Sequence, residues 1–151
     1  MKTLLFVYAS QSGHTHALVT AAAAAAGGEE NVVVRVLPAL QAGIDDLLAS
    51  QALVLATPEN FGYMAGALKD FLDRTFYPAQ GKVEGLPYAA IISAGNDGQG
   101  ALTAIRRIAS GYPLREALPP LLVKGEVTPQ SLEEAAELGA TLAAALSIGV
   151  L

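Results

Sequence analysis

Short β-rich apolar runs alternate with longer segments of helical spacing along this 151-residue chain, and that alternation limits the folds open to it. The apolar runs are residues 3–9 (TLLFVYA), 32–37 (VVVRVL), 52–56 (ALVLA), 88–94 (YAAIISA) and a weaker fifth at 121–123 (LLV). Near-continuous apolar character is expected of parallel strands buried on both faces. Between them the spacing predicts helices over 14–26, 43–50, 64–76, 99–111 and 129–147. Met64, Leu68, Phe71 and Leu72 form the apolar face of the third, and Leu102, Ile105, Ala109 and Tyr112 that of the fourth. Gly27 stands where the first helix needs a C-terminal cap, and Thr128–Pro129 reads as an N-cap followed by proline at the first helical position. The six alanines at 21–26 read as a smooth helix face lying close to the sheet, and Pro119–Pro120 as a kink before the last strand. Strict β–α alternation through right-handed crossovers implies an α/β fold with a doubly wound parallel sheet, in one domain spanning 1–151.

Composition removes several functions. A net charge of −5 leaves no basic stripe to neutralise phosphates, which argues against nucleic acid as a partner. With no cysteine, disulfides, iron–sulfur clusters and thiolate nucleophiles are excluded. Lys2 followed by LLFVYA imitates the start of a secretory signal, but the apolar run stops at Ala9 and residues 10–16 are polar. It is read as a strand; the expected compartment is the cytoplasm, with no membrane association.

In doubly wound folds, ligands bind beyond the carboxyl ends of the strands, where strand order reverses. The loops after the first, third and fourth strands are therefore the ones to read. The first, Ser10, Gln11, Ser12, Gly13, His14 and Thr15, is a hydroxyl-rich turn entering a helix. Its side chains and free helical N–H groups would suit a phosphate; a well-capped helix start is the competing reading. It has neither the lysine of a nucleoside triphosphate loop nor a GxGxxG fingerprint. The second loop contains Pro58, Glu59, Asn60, Phe61, Gly62 and Tyr63. Its glycine and aromatic faces suit a flat heteroaromatic ring, while either aromatic alone could equally be a packing staple on the following helix. The third, Gly95, Asn96, Asp97 and Gly98, followed by Gln99 and Gly100, lets backbone approach a ligand closely, or is simply a tight loop. His14 and His16 lack a third ligand for a metal in their loop, and neither Ser12 nor Ser93 lies in a nucleophile elbow. The first strand ends without the acidic residues of a phosphoacceptor receiver domain. Arg106 and Arg107 are expected to face solvent.

These residues together resemble the flavodoxin-like flavoproteins. SQSGHT at 10–15 matches all four specified positions of the phosphate loop [ST]-x-[ST]-G-x-T. PENFGYMAGALKDFLDR at 58–74 is similar to the NAD(P)H-dependent FMN reductase and quinone reductase branch, and SAGNDGQG at 93–100 looks like the third flavin-contacting loop. The resemblance implies a three-layer sandwich whose five-stranded parallel sheet has the order 2-1-3-4-5. It also implies FMN as cofactor, with Ser10, Ser12, Gly13, His14 and Thr15 at its phosphate. Pro58, Glu59, Asn60, Phe61, Gly62 and Tyr63 would border the isoalloxazine, and Gly95, Asn96, Asp97 and Gly98 would close the other side. Many relatives carry a small or aliphatic residue where this chain has His14. The implied activity is transfer of electrons from NADH or NADPH through the flavin to FMN, a quinone or another small acceptor. No side chain would serve as catalytic acid or base. A homodimer is also implied. Two alternatives remain open: a non-enzymatic flavodoxin passing single electrons to a redox protein, and a binding module that has lost the cofactor.

Overall fold

A computed structural model describes all 151 residues. The chain runs β1 (Lys2–Tyr8), α1 (His14–Ala26), β2 (Val32–Pro38), α2 (Ile44–Leu48), β3 (Ala52–Asn60), β4 (Tyr63–Met64), α3 (Gly66–Ala79), β5 (Pro87–Ala94), α4 (Gln99–Gly111), β6 (Arg115–Glu116), β7 (Leu121–Lys124) and α5 (Pro129–Ile148). The main sheet is parallel, in the order β2-β1-β3-β5-β6, with β7 also pairing β5. Allowing for the added short strand β4, this is the expected 2-1-3-4-5 order. The fifth place is shared by two short strands. Arg115–Glu116 pairs with Pro87–Tyr88, and Leu121–Lys124 pairs with Ile91–Ala94. Pro119 and Pro120 fall in the gap, where a missing N–H costs no ladder bond.

Alternation along the strands fills both sides of the sheet. Leu5, Val7, Leu53, Leu55, Ala90 and Ile92 pack with α2, α3 and α4 on one face, and Leu4, Phe6, Val54, Ala56, Ala89 and Ile91 pack with α1 and α5 on the other. One sequence expectation is extended and one is corrected. The alanine run of α1 meets α5 as well as the sheet: Ala22 and Ala26 are buried, and a Cβ on Gly139 of α5 would lie 2.0 Å from the Ala22 carbonyl oxygen. Small residues on both helices permit that close crossing. Met64 belongs to β4 rather than to α3, which begins at Gly66.

The start of α5 behaves as read. The Thr128 hydroxyl accepts the Ser131 N–H at 3.1 Å, the Ser131 hydroxyl accepts the Thr128 N–H at 2.8 Å, and Pro129 follows the cap. Arg106 is exposed, as expected, and its guanidinium makes two 2.8 Å hydrogen bonds to the Glu116 carboxylate. That pairing holds the Glu116 carboxyl below its ordinary range. No helix is long and apolar enough to cross a membrane.

Candidate functional site

The turn after β1 is built around Gly13, which caps α1 with φ 97°, a left-handed angle at which a side chain is strained. The backbone N–H groups of Ser12, Gly13, His14 and Thr15 find no acceptor within the protein. The next one, of His16, is taken by the Ser10 hydroxyl at 3.3 Å. Ser12 and Gly13 are exposed, and α1 has no acidic residue in its first turn. Four donors and a hydroxyl thus stand at the positive end of a thirteen-residue helix without an acceptor of their own. This donor set matches the acceptor-only oxygens of a phosphate monoester. Thr15 differs from Ser12: it is buried, and its Oγ1 lies 2.8 Å from Ser93 Oγ, joining the turn to the end of β5. Two hydroxyls sharing one hydrogen bond retain one O–H proton between them.

The segment read as a loop after the third strand is a hairpin. β3 continues to Asn60 and turns back, pairing Glu59 with Met64 and Asn60 with Tyr63. The two turn residues, Phe61 and Gly62, have φ 52° and 71°, as a two-residue hairpin of the primed type requires. Phe61 is fully exposed. Behind the hairpin, the Thr57 hydroxyl accepts the Ala65 N–H at 2.9 Å and donates to the Pro58 carbonyl at 2.8 Å, fixing the entry to α3.

The hairpin is locked to α4. Gly100 lies under the turn, where a Cβ would be 2.0 Å from the Gly62 carbonyl oxygen, and the Glu59 carboxylate accepts the Ala101 N–H at 3.1 Å. Asp97 Oδ1 accepts the Gln99 N–H at 3.0 Å. Two carboxylates therefore already occupy the N-terminus of α4, whereas that of α1 is open. An anion is directed to α1.

A cavity of about 270 Å³ joins these parts. Ser12 and His14 line it from the first turn, Pro58, Glu59 and Asn60 from β3, and Ser93 and Gly95 from the end of β5. The loop after β7 supplies a fourth wall, Gly125 and Glu126, with Glu126 Oε2 3.5 Å from His14 Nε2. Sequence reasoning missed this wall; its available signal was a glycine directly after the last strand, at the same sheet edge. The structure does not bring every expected residue into this cavity. Ser10 and Gly13 line a second one of about 580 Å³ with Tyr8, Gln41 and Ala65. Tyr63 faces a groove along α4, and Phe61, Asn96, Asp97 and Gly98 line neither cavity. No group of three or more His, Asp or Glu side chains is placed to hold a metal.

A doubly wound parallel sheet with these loops at its carboxyl edge defines a flavodoxin-like flavoprotein. A family model described as NADPH-dependent FMN reductase matches residues 26–116. Among solved structures, a flavodoxin from the domain Archaea is 25% identical over 94% of this chain and 96% of its own, with TM-score 0.77. The flavodoxin, WrbA-like protein of Agrobacterium tumefaciens is 20% identical over 95% and 96% of the two chains, also with TM-score 0.77. The rubredoxin oxygen:oxidoreductase of Desulfovibrio gigas shares the fold with TM-score 0.82 at 15% identity, over 99% of this chain and 37% of its own. Comparison with curated protein sequences gives no match. The chain belongs to the NADPH-dependent FMN reductase family and is an FMN-binding flavoprotein.

Proposed function

We propose that this protein is an NAD(P)H-dependent oxidoreductase that uses bound FMN to reduce free flavin, a quinone or a similar small acceptor. The observation that carries the reading is the row of four unpartnered N–H groups at Ser12–Thr15, beside a cavity whose other walls are the end of β3, the end of β5 and the loop after β7. In this reading the N–H groups and the Ser12 hydroxyl hold the FMN phosphate, with His14 beside it. The free proton of the Thr15–Ser93 pair is available at the inner end. Pro58, Glu59, Asn60 and Gly95 border the ring from the cavity wall, Phe61–Tyr63 and Asn96–Gly98 continue the same two loops outside it, and the Gly100 contact with the Glu59 hydrogen bond keeps these loops in register. When bound, FMN would supply the redox chemistry, two-electron exchange between a reduced nicotinamide and the acceptor. The protein binds, orients and screens, and none of its side chains exchanges a proton with substrate.

Glu59 and Asp97 add negative charge near the ring, but each is partly satisfied by an α4 N–H group. Their effect on the flavin is accordingly smaller than that of free carboxylates.

The purified protein is titrated with FMN and with riboflavin, and the loaded protein is mixed anaerobically with NADPH or NADH. Tight binding of FMN, weaker binding of riboflavin and bleaching of the flavin absorbance by a pyridine nucleotide are expected. Ser12→Ala should weaken FMN by about tenfold, near the lower end of a hydrogen bond to a charged group, while leaving riboflavin unaffected. No flavin binding would refute the reading. Binding without nucleotide oxidation, but with electron exchange with a redox protein, would favour a carrier, as the resemblance to an archaeal flavodoxin suggests.

A further inference from the structure

A groove of about 510 Å³ begins at the hairpin turn, at Gly62 and Tyr63, and runs along the exposed side of α4 past Gln99 and Thr103 to Arg107. Gln99, Thr103 and Arg107 are four residues apart and form one row on the helix. From Gln99 to Arg107 the helix rises ~12 Å. The groove is therefore elongated, with an aromatic side chain at the hairpin end, amide and hydroxyl groups in its middle and a guanidinium at the far end. Arg107 differs from the arginine next to it. Arg106 is held by Glu116, whereas Arg107 is exposed and belongs to none of the five ion pairs. On a chain with 14 acidic and nine basic residues, a cation left without a carboxylate partner is available to an external anion. The planar guanidinium matches the oxygens of a phosphate in a two-pronged hydrogen bond, as a lysine would not.

Building on the nucleotide-dependent reading above, we infer that this groove binds NADPH and that Arg107 selects it over NADH by holding the 2′-phosphate. The nicotinamide lies at the hairpin end, beside the loops assigned to the flavin. Gln99 and Thr103 hydrogen-bond the sugar and diphosphate between the two ends. The 2′-phosphate is the only group that distinguishes the two nucleotides, and it reaches the only free cation on the groove.

Two measurements on the FMN-loaded full chain and its Arg107→Gln variant test this. The first is calorimetric binding of 2′,5′-ADP, which carries the 2′-phosphate, against 5′-AMP, which lacks it. The second is steady-state oxidation of NADPH and NADH at several ionic strengths. Wild type should bind 2′,5′-ADP more tightly than 5′-AMP. Arg107→Gln should remove at least tenfold of that preference and raise KM for NADPH by a similar factor, while leaving KM for NADH and the affinity for FMN unchanged. Arg107→Lys should restore part of the loss, and added salt should raise KM for NADPH in wild type more than in Arg107→Gln. An unchanged ratio between the two nucleotides in Arg107→Gln overturns the assignment. If 2′,5′-ADP binding depends on Arg107 but neither nucleotide is oxidised, the groove stands as a 2′-phosphonucleotide site and the oxidoreductase reading fails.

Discussion

Replacing Gly100 with alanine tests whether the hairpin and α4 act as one unit. The new Cβ would lie 2.0 Å from the Gly62 carbonyl oxygen, and real Cβ contacts essentially never fall below 3.0 Å, so backbone must move. Neither atom is the end of a flexible side chain. Overpacking of this kind costs ~1–3 kcal/mol, and hairpin displacement also threatens the Glu59–Ala101 hydrogen bond, a charged one contributing ~1.5–3 kcal/mol. Alanine returns at most ~1 kcal/mol in helix propensity. Because the hairpin can swing away without unfolding the sheet, the net loss in urea unfolding should be ~1–3 kcal/mol, below the simple sum. FMN affinity, read from quenching of flavin fluorescence, should fall ~10–100-fold as the two ring-bordering loops lose register. Gly139→Ala is the matched control. Its Cβ makes the same 2.0 Å clash with the Ala22 carbonyl oxygen, between α1 and α5. It should cost comparable stability and leave FMN affinity nearly intact. Equal effects of the two variants on FMN, or none from Gly100→Ala, would refute the idea that the hairpin contact organises the site.

Phe61 occupies a left-handed backbone angle with its side chain fully exposed, a conformation costing non-glycine residues ~1–2 kcal/mol. Phe61→Asn creates the favoured Asn-Gly turn and should raise the urea midpoint by the equivalent of ~0.5–1.5 kcal/mol; a lower midpoint would show that the ring is packed. Glu116 has a folded-state pKa depressed by Arg106, so its contribution is present above its unfolded pKa and is lost as pH falls through the lower folded value. Glu116→Gln should therefore cost ~0.2–1 kcal/mol at neutral pH, with the difference from wild type disappearing in acid; a pH-independent difference would contradict the ion pair. Thr128→Ala removes the cap of α5 and should lower stability by ~1 kcal/mol in the same unfolding assay; an unchanged midpoint would show that the N–H of Ser131 finds water at no cost.

The elements of this fold were legible because each is specified by its own residues. Runs such as LLFVYA and YAAIISA leave little alternative to buried parallel strands, and α1 and α4 begin and end at the residues expected from periodicity and glycine positions. The extension of β3 was harder to read. TPENFG carries proline, glycine and polar residues, the usual marks of a loop, and only its pairing with Tyr63–Met64 makes it strand. Strand pairing depends on the partner, which no local window contains. The same limit hid the split fifth strand and the partnership of Arg106 with Glu116.

The sequence by itself determined the alternation, the parallel sheet and the edge at which the polar loops gather, because periodicity and turn chemistry are local properties of the chain. Tertiary structure decided how the residues of those loops are used. It buried Thr15 against Ser93 while leaving Ser12 and four N–H groups open. It turned Glu59 to the N-terminus of α4, leaving that of α1 open to an anion. It added Gly125 and Glu126 as a wall, and left Arg107 unpaired while its neighbour was held. Each outcome depends on which groups from distant segments come within hydrogen-bonding range, and that proximity exists only once the chain has folded.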